Sequence, residues 1–306
     1  MVHNRLTKMK KRKSIIELKK MYQDGVNIIE SLRNDEDTNK IESIELAYDL
    51  QAGSYIDAYK KQKQKFDKYY KDIGEILDNY IVEGGAILDC GTGELTTVGG
   101  MIKLGYLSNT SKVYAFDISF SRIYTGKKFL NEALGEHKVE CFVGDMMSIP
   151  ASDSSFDIVW SSHALEPNRE RETEIIKEMI RVSRNKVILF EPSYEKNSEK
   201  GKKRMDKLKY VKEIPESIDK AGGTLEKIIK IKNPLNLLNP TYGYIVNPVK
   251  NNIKSKKKYM CPVTKECLIQ KDDYMLTKNP MIAYPIMGGI PLLKESHAVI
   301  AFRVEE

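Results

Sequence analysis

Apolar positions in the first third of the chain recur at helical intervals. In IIELKKMYQDGVNIIESL, residues 15–32, the apolar set Ile15, Leu18, Tyr22, Ile28 and Leu32 alternates with charged positions at helical spacing. A polar break, NDEDTN at 34–39, follows. Residues 41–81 read as helix again, anchored by Leu46, Tyr59, Phe66, Tyr70 and Leu77, with Gly53 and Gly74 dividing the stretch into two or three helices. From residue 85 the rhythm changes. Short β-rich runs (AILDC, KVYAFD, KVECFVG, FDIVWSS, KVILFEP) alternate with amphipathic segments such as ETEIIKEMIRVSRN. That alternation predicts an α/β fold with a parallel sheet covered by helices. TLEKIIKIK and TYGYIVNP then suit a final antiparallel strand pair on the same sheet.

These patterns divide the chain into a helical segment or lid at 1–80, an α/β domain at 81–248, a basic linker at 249–258 and a small β-rich unit at 259–306. Composition adds little to this. Hydrophobic residues make up 41% of the 306 and charged residues 30%, enough for a core and a wet surface. No apolar run approaches the roughly 20 residues of a membrane span. The basic start, MVHNRLTKMKKRK, lacks the apolar centre of a secretion signal, so the expected location is cytoplasmic. The net charge of +7 would attract an anionic substrate or nucleic acid, and it also fits lysines that only keep the surface solvated. The four cysteines form no C-x-x-C pair, so neither a metal nor a disulfide is expected.

The chemistry begins at AILDCGTGELTT, residues 86–97. Gly91 and Gly93 form a tight turn between strand and helix, but the third glycine of a dinucleotide motif is replaced by Thr96. Glu94, at the expected helix start, would repel a pyrophosphate and suit a ligand with positive charge. A P-loop is excluded because no Gly-Lys-Ser/Thr follows. S-adenosyl-L-methionine fits better: it has no phosphate, and it carries a cationic sulfonium and an ammonium that Asp89 can face. The two glycines let the backbone approach the methionine part. Asp117, ending KVYAFD, suits a ribose diol. Asp145 suits the adenine amino group, with Met146 offering an N–H and an apolar wall.

In order, DCGTG, VYAFD, GDMMSIP and FDIVWSSHALE resemble the motifs of class I S-adenosylmethionine-dependent methyltransferases, over about residues 80–195. The resemblance implies a Rossmann-like, mostly parallel sheet with an antiparallel final strand. It also implies Asp89, Gly91, Gly93, Asp117, Asp145 and Met146 as cofactor residues. His163, just beyond the fourth strand, is the candidate general base, with Glu191 at the end of the fifth strand as a weaker one and Glu166 as a helix cap. Tyr48, Gln51 and Tyr55 are candidate lid or substrate residues. The Asn-Pro-Pro-Tyr common in amino-methylating relatives is absent after strand four, which leans toward O-methylation of a small molecule or glycan precursor. An RNA or ribosome-linked acceptor, and a cofactor-binding regulator without turnover, stay open.

The tail resembles a second family, the small zinc-ribbon-like proteins that pair with and activate RNA and protein methyltransferases. CPVTKECL at 261–268 and AYPIMGGIPLL at 283–293 carry the likeness. Thr264 stands where a second cysteine is expected, so the resemblance is to zinc-free bacterial members. Gly288 and Gly289 suit a hairpin turn.

Overall fold

The computed structural model describes residues 14–33, 38–134, 139–248, 259–279 and 281–302. The expected linker at 249–258, the basic start at 1–13 and most of the polar break lie outside the described residues.

The amino-terminal segment forms five helices: α1 (Ile15–Gln23), α2 (Ile28–Leu32), α3 (Ile41–Leu50), α4 (Ser54–Lys61) and α5 (Lys63–Asp78). The stretch of helical spacing over 15–32 forms two helices, with a break after Gln23. Gly25 takes φ +78° and Asn27 caps α2, its Oδ1 accepting the Glu30 N–H at 3.2 Å. The apolar spacing ran through the break because α1 and α2 pack against the same neighbour, α3, with Leu18, Ile28 and Ala47 buried together. Gly53 does mark a break between helices, as the residue before α4 at φ +99°. Gly74 does not: it lies inside α5, where an added Cβ would sit 2.6 Å from the Tyr106 ring. Its role is close approach.

The central sheet has β1 (Gly85–Cys90), β2 (Thr110–Asp117), β3 (Val139–Val143), β4 (Phe156–Ser162), β5 (Ser183–Pro192), β6 (Thr224–Lys230) and β7 (Thr241–Asn247), in the order β3-β2-β1-β4-β5-β7-β6. β1 to β5 pair in parallel, and β7 runs antiparallel to both β5 and β6. Alternate residues feed opposite cores. Leu88, Cys90 and Leu189 meet Ile175, Ile176 and Met179 of α8 (Glu172–Val182) on one face. Ile87, Ile188 and Phe190 meet Tyr69, Tyr70 and Ile73 of α5 and Val98 of α6 (Thr96–Lys103) on the other. Covering on both faces explains why these strands read as nearly continuous apolar runs. α7 (Phe120–Leu134), α9 (Glu199–Leu208) and α10 (Ile214–Lys220) complete the layers.

The carboxy-terminal unit is a small antiparallel sheet of β8 (Ile269–Gln270), β9 (Tyr274–Leu276), β10 (Ile282–Met287), β11 (Ile290–Pro291) and β12 (Val299–Ile300). Gly288 and Gly289, at φ +57° and +71°, make the β10–β11 turn. The unit packs into the main core. Leu292 bridges Val143 at the end of edge strand β3, and the Leu293 N–H donates to the Val143 carbonyl at 2.8 Å. Ile290 and Leu292 are buried with Ile123, Leu130 and Cys141. Lys294, only 6% exposed, forms an ion pair with Glu45 of α3. The Cys261 thiol accepts from the Thr264 N–H at 3.3 Å and lies 3.1 Å from the Tyr284 hydroxyl.

Candidate active site

The strand order reverses between β1 and β4, and their carboxyl ends open on one crevice, the usual ligand position in such sheets. The turn after β1 is fixed by the Gly91 and Thr92 N–H groups, both donating to the Phe116 carbonyl at 2.9 Å. Gly91 takes φ +73°, and an added Cβ would lie 2.4 Å from Ala164 Cβ and 3.7 Å from Met146 Sδ. Gly93 donates its N–H to Asp117 Oδ2 at 2.9 Å, while Ser119 donates to Oδ1 at 2.9 Å. Burial raises the Asp117 pKa, and the Arg122 cation works against it. Asp145 accepts the Met147 N–H at 2.8 Å. Gly91, Gly93, Asp117, Asp145 and Met146 therefore line one narrow pocket of about 110 Å³.

Asp89 is not on that wall. It is buried beneath the glycine turn, 2% exposed, and burial with help from the Asp117 charge pushes its pKa up to about 8. Its Oδ2 has no hydrogen-bond partner in this geometry, although the Thr92 hydroxyl is close enough to ease the shift. The carboxyl under the glycine turn thus keeps one buried polar atom without a partner.

Glu94 does something the sequence did not reveal. Rather than facing a ligand, its fully buried carboxylate accepts the N–H groups of Gly53 (3.0 Å), Tyr55 (3.1 Å) and Ile56 (2.9 Å), capping α4. The roof helices are thus tied to the glycine turn. Arg122, also unforeseen, is stacked between Tyr48 and Tyr55 at 4.1 and 4.2 Å from their ring centres. Its Nε donates to the Tyr48 carbonyl and its Nη2 to Gln51 Oε1, at 3.2 and 3.0 Å. Tyr48, Gln51 and Tyr55 therefore form a cage around one guanidinium at the edge of the pocket.

His163 sits at φ +57° after β4, on the crevice wall. Both ring nitrogens are engaged. Nδ1 pairs with the Glu166 carboxylate, and Nε2 lies 3.0 Å from Thr241 Oγ1. Burial pulls the imidazole pKa down, but Glu166 and Glu191 outweigh it and hold it above the usual value. Glu166 is thus a histidine partner, also accepting from Asn239 Nδ2 at 2.6 Å, and not the helix cap expected. Glu191 does not line the crevice. It is fully buried under the turn after β4, where Oε1 accepts from the Ser161 hydroxyl (2.8 Å) and the Ala164 and Leu165 N–H groups (3.1 and 3.2 Å). Burial pushes its pKa up to about 7.

Beyond His163 the crevice widens into a second cavity of about 590 Å³. It shares Tyr48, Tyr55, Thr96, Thr97, Ser162 and His163 with the first pocket and is roofed by residues of α1 and α2.

Residues 88–190 match a family model described as a methyltransferase domain. The chain carries a methyltransferase domain. The match supports transferase chemistry with S-adenosyl-L-methionine. Among solved structures, magnesium protoporphyrin IX methyltransferase from Synechocystis PCC 6803, crystallised with S-adenosyl-L-homocysteine, is similar at 12% identity and a TM-score of 0.50. It covers 67% of this chain and 99% of its own. A complex of the Haloferax volcanii Trm112 methyltransferase activator with a methyltransferase gives 15% identity and a TM-score of 0.50, covering 66% of this chain and 97% of that one. At such identities these two likenesses speak for the fold. No curated protein is a significant match to the chain. No helix among the described residues is long and apolar enough to cross a membrane.

Proposed function

We propose that this methyltransferase domain acts on an oxygen of a small molecule, a glycan precursor included, held in the 590 Å³ cavity. The observation that carries the reading is the cavity itself. It adjoins the cofactor pocket through Ser162 and His163 and is covered by the amino-terminal helices, a shape suited to a small ligand and not to a polymer.

In this reading Asp117 holds the ribose hydroxyls, and Asp145 and Met146 the adenine. The backbone at Gly91 and Gly93 takes the methionine part, above Asp89. Bound there, the cofactor supplies a methyl group on cationic sulfur. Alignment in a covered site provides much of the acceleration. Glu166 on Nδ1 favours the tautomer with the basic lone pair on Nε2 and stabilises the imidazolium that follows protonation. An acceptor hydroxyl replacing Thr241 at Nε2 would give its proton to His163. Glu191 acts through position, fixing the turn that presents His163.

The carboxy-terminal unit is proposed as a fused activator-like module, following the resemblance of residues 258–300. Its burial of Ile290 and Leu292 beside β3 supports that role.

The test is incubation of the purified chain with methyl-labelled cofactor and fractionated extract, with His163→Gln alongside. Label in small solutes, lost on substitution, is expected. Label in RNA or protein would overturn the acceptor reading.

A further inference from the structure

Charge on the walls of the large cavity is one-sided. Glu166 is the one carboxylate among the described residues that line it, and His163 and Asn239 already occupy it. Arg33, also on the wall, meets only neutral oxygens. Its Nε donates to Asn39 Oδ1 (2.9 Å), its Nη1 to the Lys207 carbonyl (3.0 Å) and its Nη2 to the Leu208 carbonyl (3.4 Å).

Arg204 is less well matched still. It lies one turn before Leu208 on α9, so the two share a face of that helix, and Leu208 lines the cavity. The Arg204 Cζ stands 5.5 Å from the ring centre of Tyr210, another wall residue. Burial and the Arg204 cation both pull the His163 pKa down, against Glu166 and Glu191, so the guanidinium is within electrostatic reach of the candidate base. Yet its Nη1 is buried without a hydrogen-bond partner, and no carboxylate of the described residues pairs with the side chain. A guanidinium has five donors and no acceptor, and withdrawing it from water unmatched is costly.

The uncommitted amides favour the same kind of ligand. Asn27 Oδ1 accepts from the Glu30 N–H, Gln51 Oε1 from Arg122, and Asn236 Oδ1 from the Leu238 N–H. Those bonds assign the amide orientations and leave the side-chain nitrogen of each as a spare donor on a wall residue. Asn239 is the exception, since its Nδ2 faces Glu166 and its Oδ1 is an unpartnered acceptor. A ligand that chiefly accepts hydrogen bonds answers these walls, and an acid anion only accepts.

We propose that the acceptor is an organic acid whose carboxylate or phosphate is held by Arg204 while a hydroxyl of the same molecule lies at His163. This rests on the reading that the cavity holds the acceptor. Arg204 is not among the residues lining the cofactor pocket, so the acid is a handle for recognition and not the methylated group.

The test extends the labelling experiment with the full chain. Labelled small solutes are separated from RNA and protein by size and passed over an anion exchanger at neutral pH. Retention of the label is expected. Loss of retention after alkaline phosphatase identifies the acid as a phosphate, and survival identifies a carboxylate. Label that runs through unretained overturns the inference and leaves the small-molecule reading standing. Label confined to RNA or protein, or none at all, brings down that reading and this inference with it. Arg204→Met should raise the apparent KM for the acidic fraction at least about tenfold, with a much smaller change in kcat and unchanged affinity for S-adenosyl-L-homocysteine. Arg204→Lys should recover part of the loss. A KM that Arg204→Met leaves unchanged overturns the assignment to Arg204. The retention measurement uses the unaltered chain and decides the acceptor's charge whether or not Arg204→Met folds.

Discussion

The Glu94 carboxylate accepts the Ile56 N–H at 2.9 Å, so a residue of the glycine turn is the cap of a roof helix. Glu94→Gln keeps one acceptor oxygen and turns an amide N–H₂ toward backbone donors. The expected cost is about 1–3 kcal/mol. Hydrogen exchange should speed up at Gly53, Tyr55 and Ile56 before it does in the central strands. Unchanged protection at those three amides would show that the cap contributes nothing.

The two glycines of the turn should respond differently to alanine. At Gly91 the new methyl meets Ala164 at 2.4 Å, and φ is +73°. At Gly93 φ is +57°, but the nearest atoms are 3.5 Å away. Gly93→Ala should cost roughly 1–2 kcal/mol of backbone strain. Gly91→Ala should cost more, about 2–4 kcal/mol, and weaken S-adenosyl-L-homocysteine binding at least tenfold. Denaturant titration and calorimetry read both.

Stability should fall as pH rises from about 4 to about 8. Asp89 and Glu191 have folded pKa values raised to about 8 and about 7, so between their unfolded and folded values the folded state holds more protons than the unfolded one. Stability must then decline through that window. His163, also raised, acts in the same direction, its contribution being lost above its folded pKa. The unfolding midpoint should be higher at pH 6 than at pH 8.5, and Asp89→Asn should flatten the slope. A midpoint that climbs over that range would contradict the assignment.

Lys294→Met should loosen a helix far away in the chain. The ammonium is buried against Glu45, so the substitution leaves a half-buried carboxylate unmatched. A loss of about 1–3 kcal/mol is expected, with faster exchange in α3. Adding Glu45→Gln should recover part of it, and a purely additive double mutant would refute the coupling.

Much of this molecule was legible in advance, and the reasons are local. Strands with both faces covered are apolar throughout, and the β6–β7 pair carried its own signal. Gly91, Gly93, Asp117, Asp145 and Met146 follow strands in a fixed order, so the resemblance of their motifs to a known family was enough to group them. Two misreadings share one cause: a partner distant in sequence. Glu94 looked like a ligand group because its donors lie some 40 residues upstream. Gly74 looked like a helix break because Tyr106 could not be seen beside it. Arg122 and Asn239 carried no signal, since what defines them comes from the roof and from the turn-rich loop after β4.

Leu292 meets β3 only after nearly half the protein has been made beyond that strand. At about 5–20 residues per second on the ribosome, the open edge waits on the order of ten seconds for its cover. A nascent chain in that interval offers unpaired backbone and exposed Val143 to its neighbours. Yield in cells should therefore depend on chaperone supply and slow synthesis, even where the finished protein is robust.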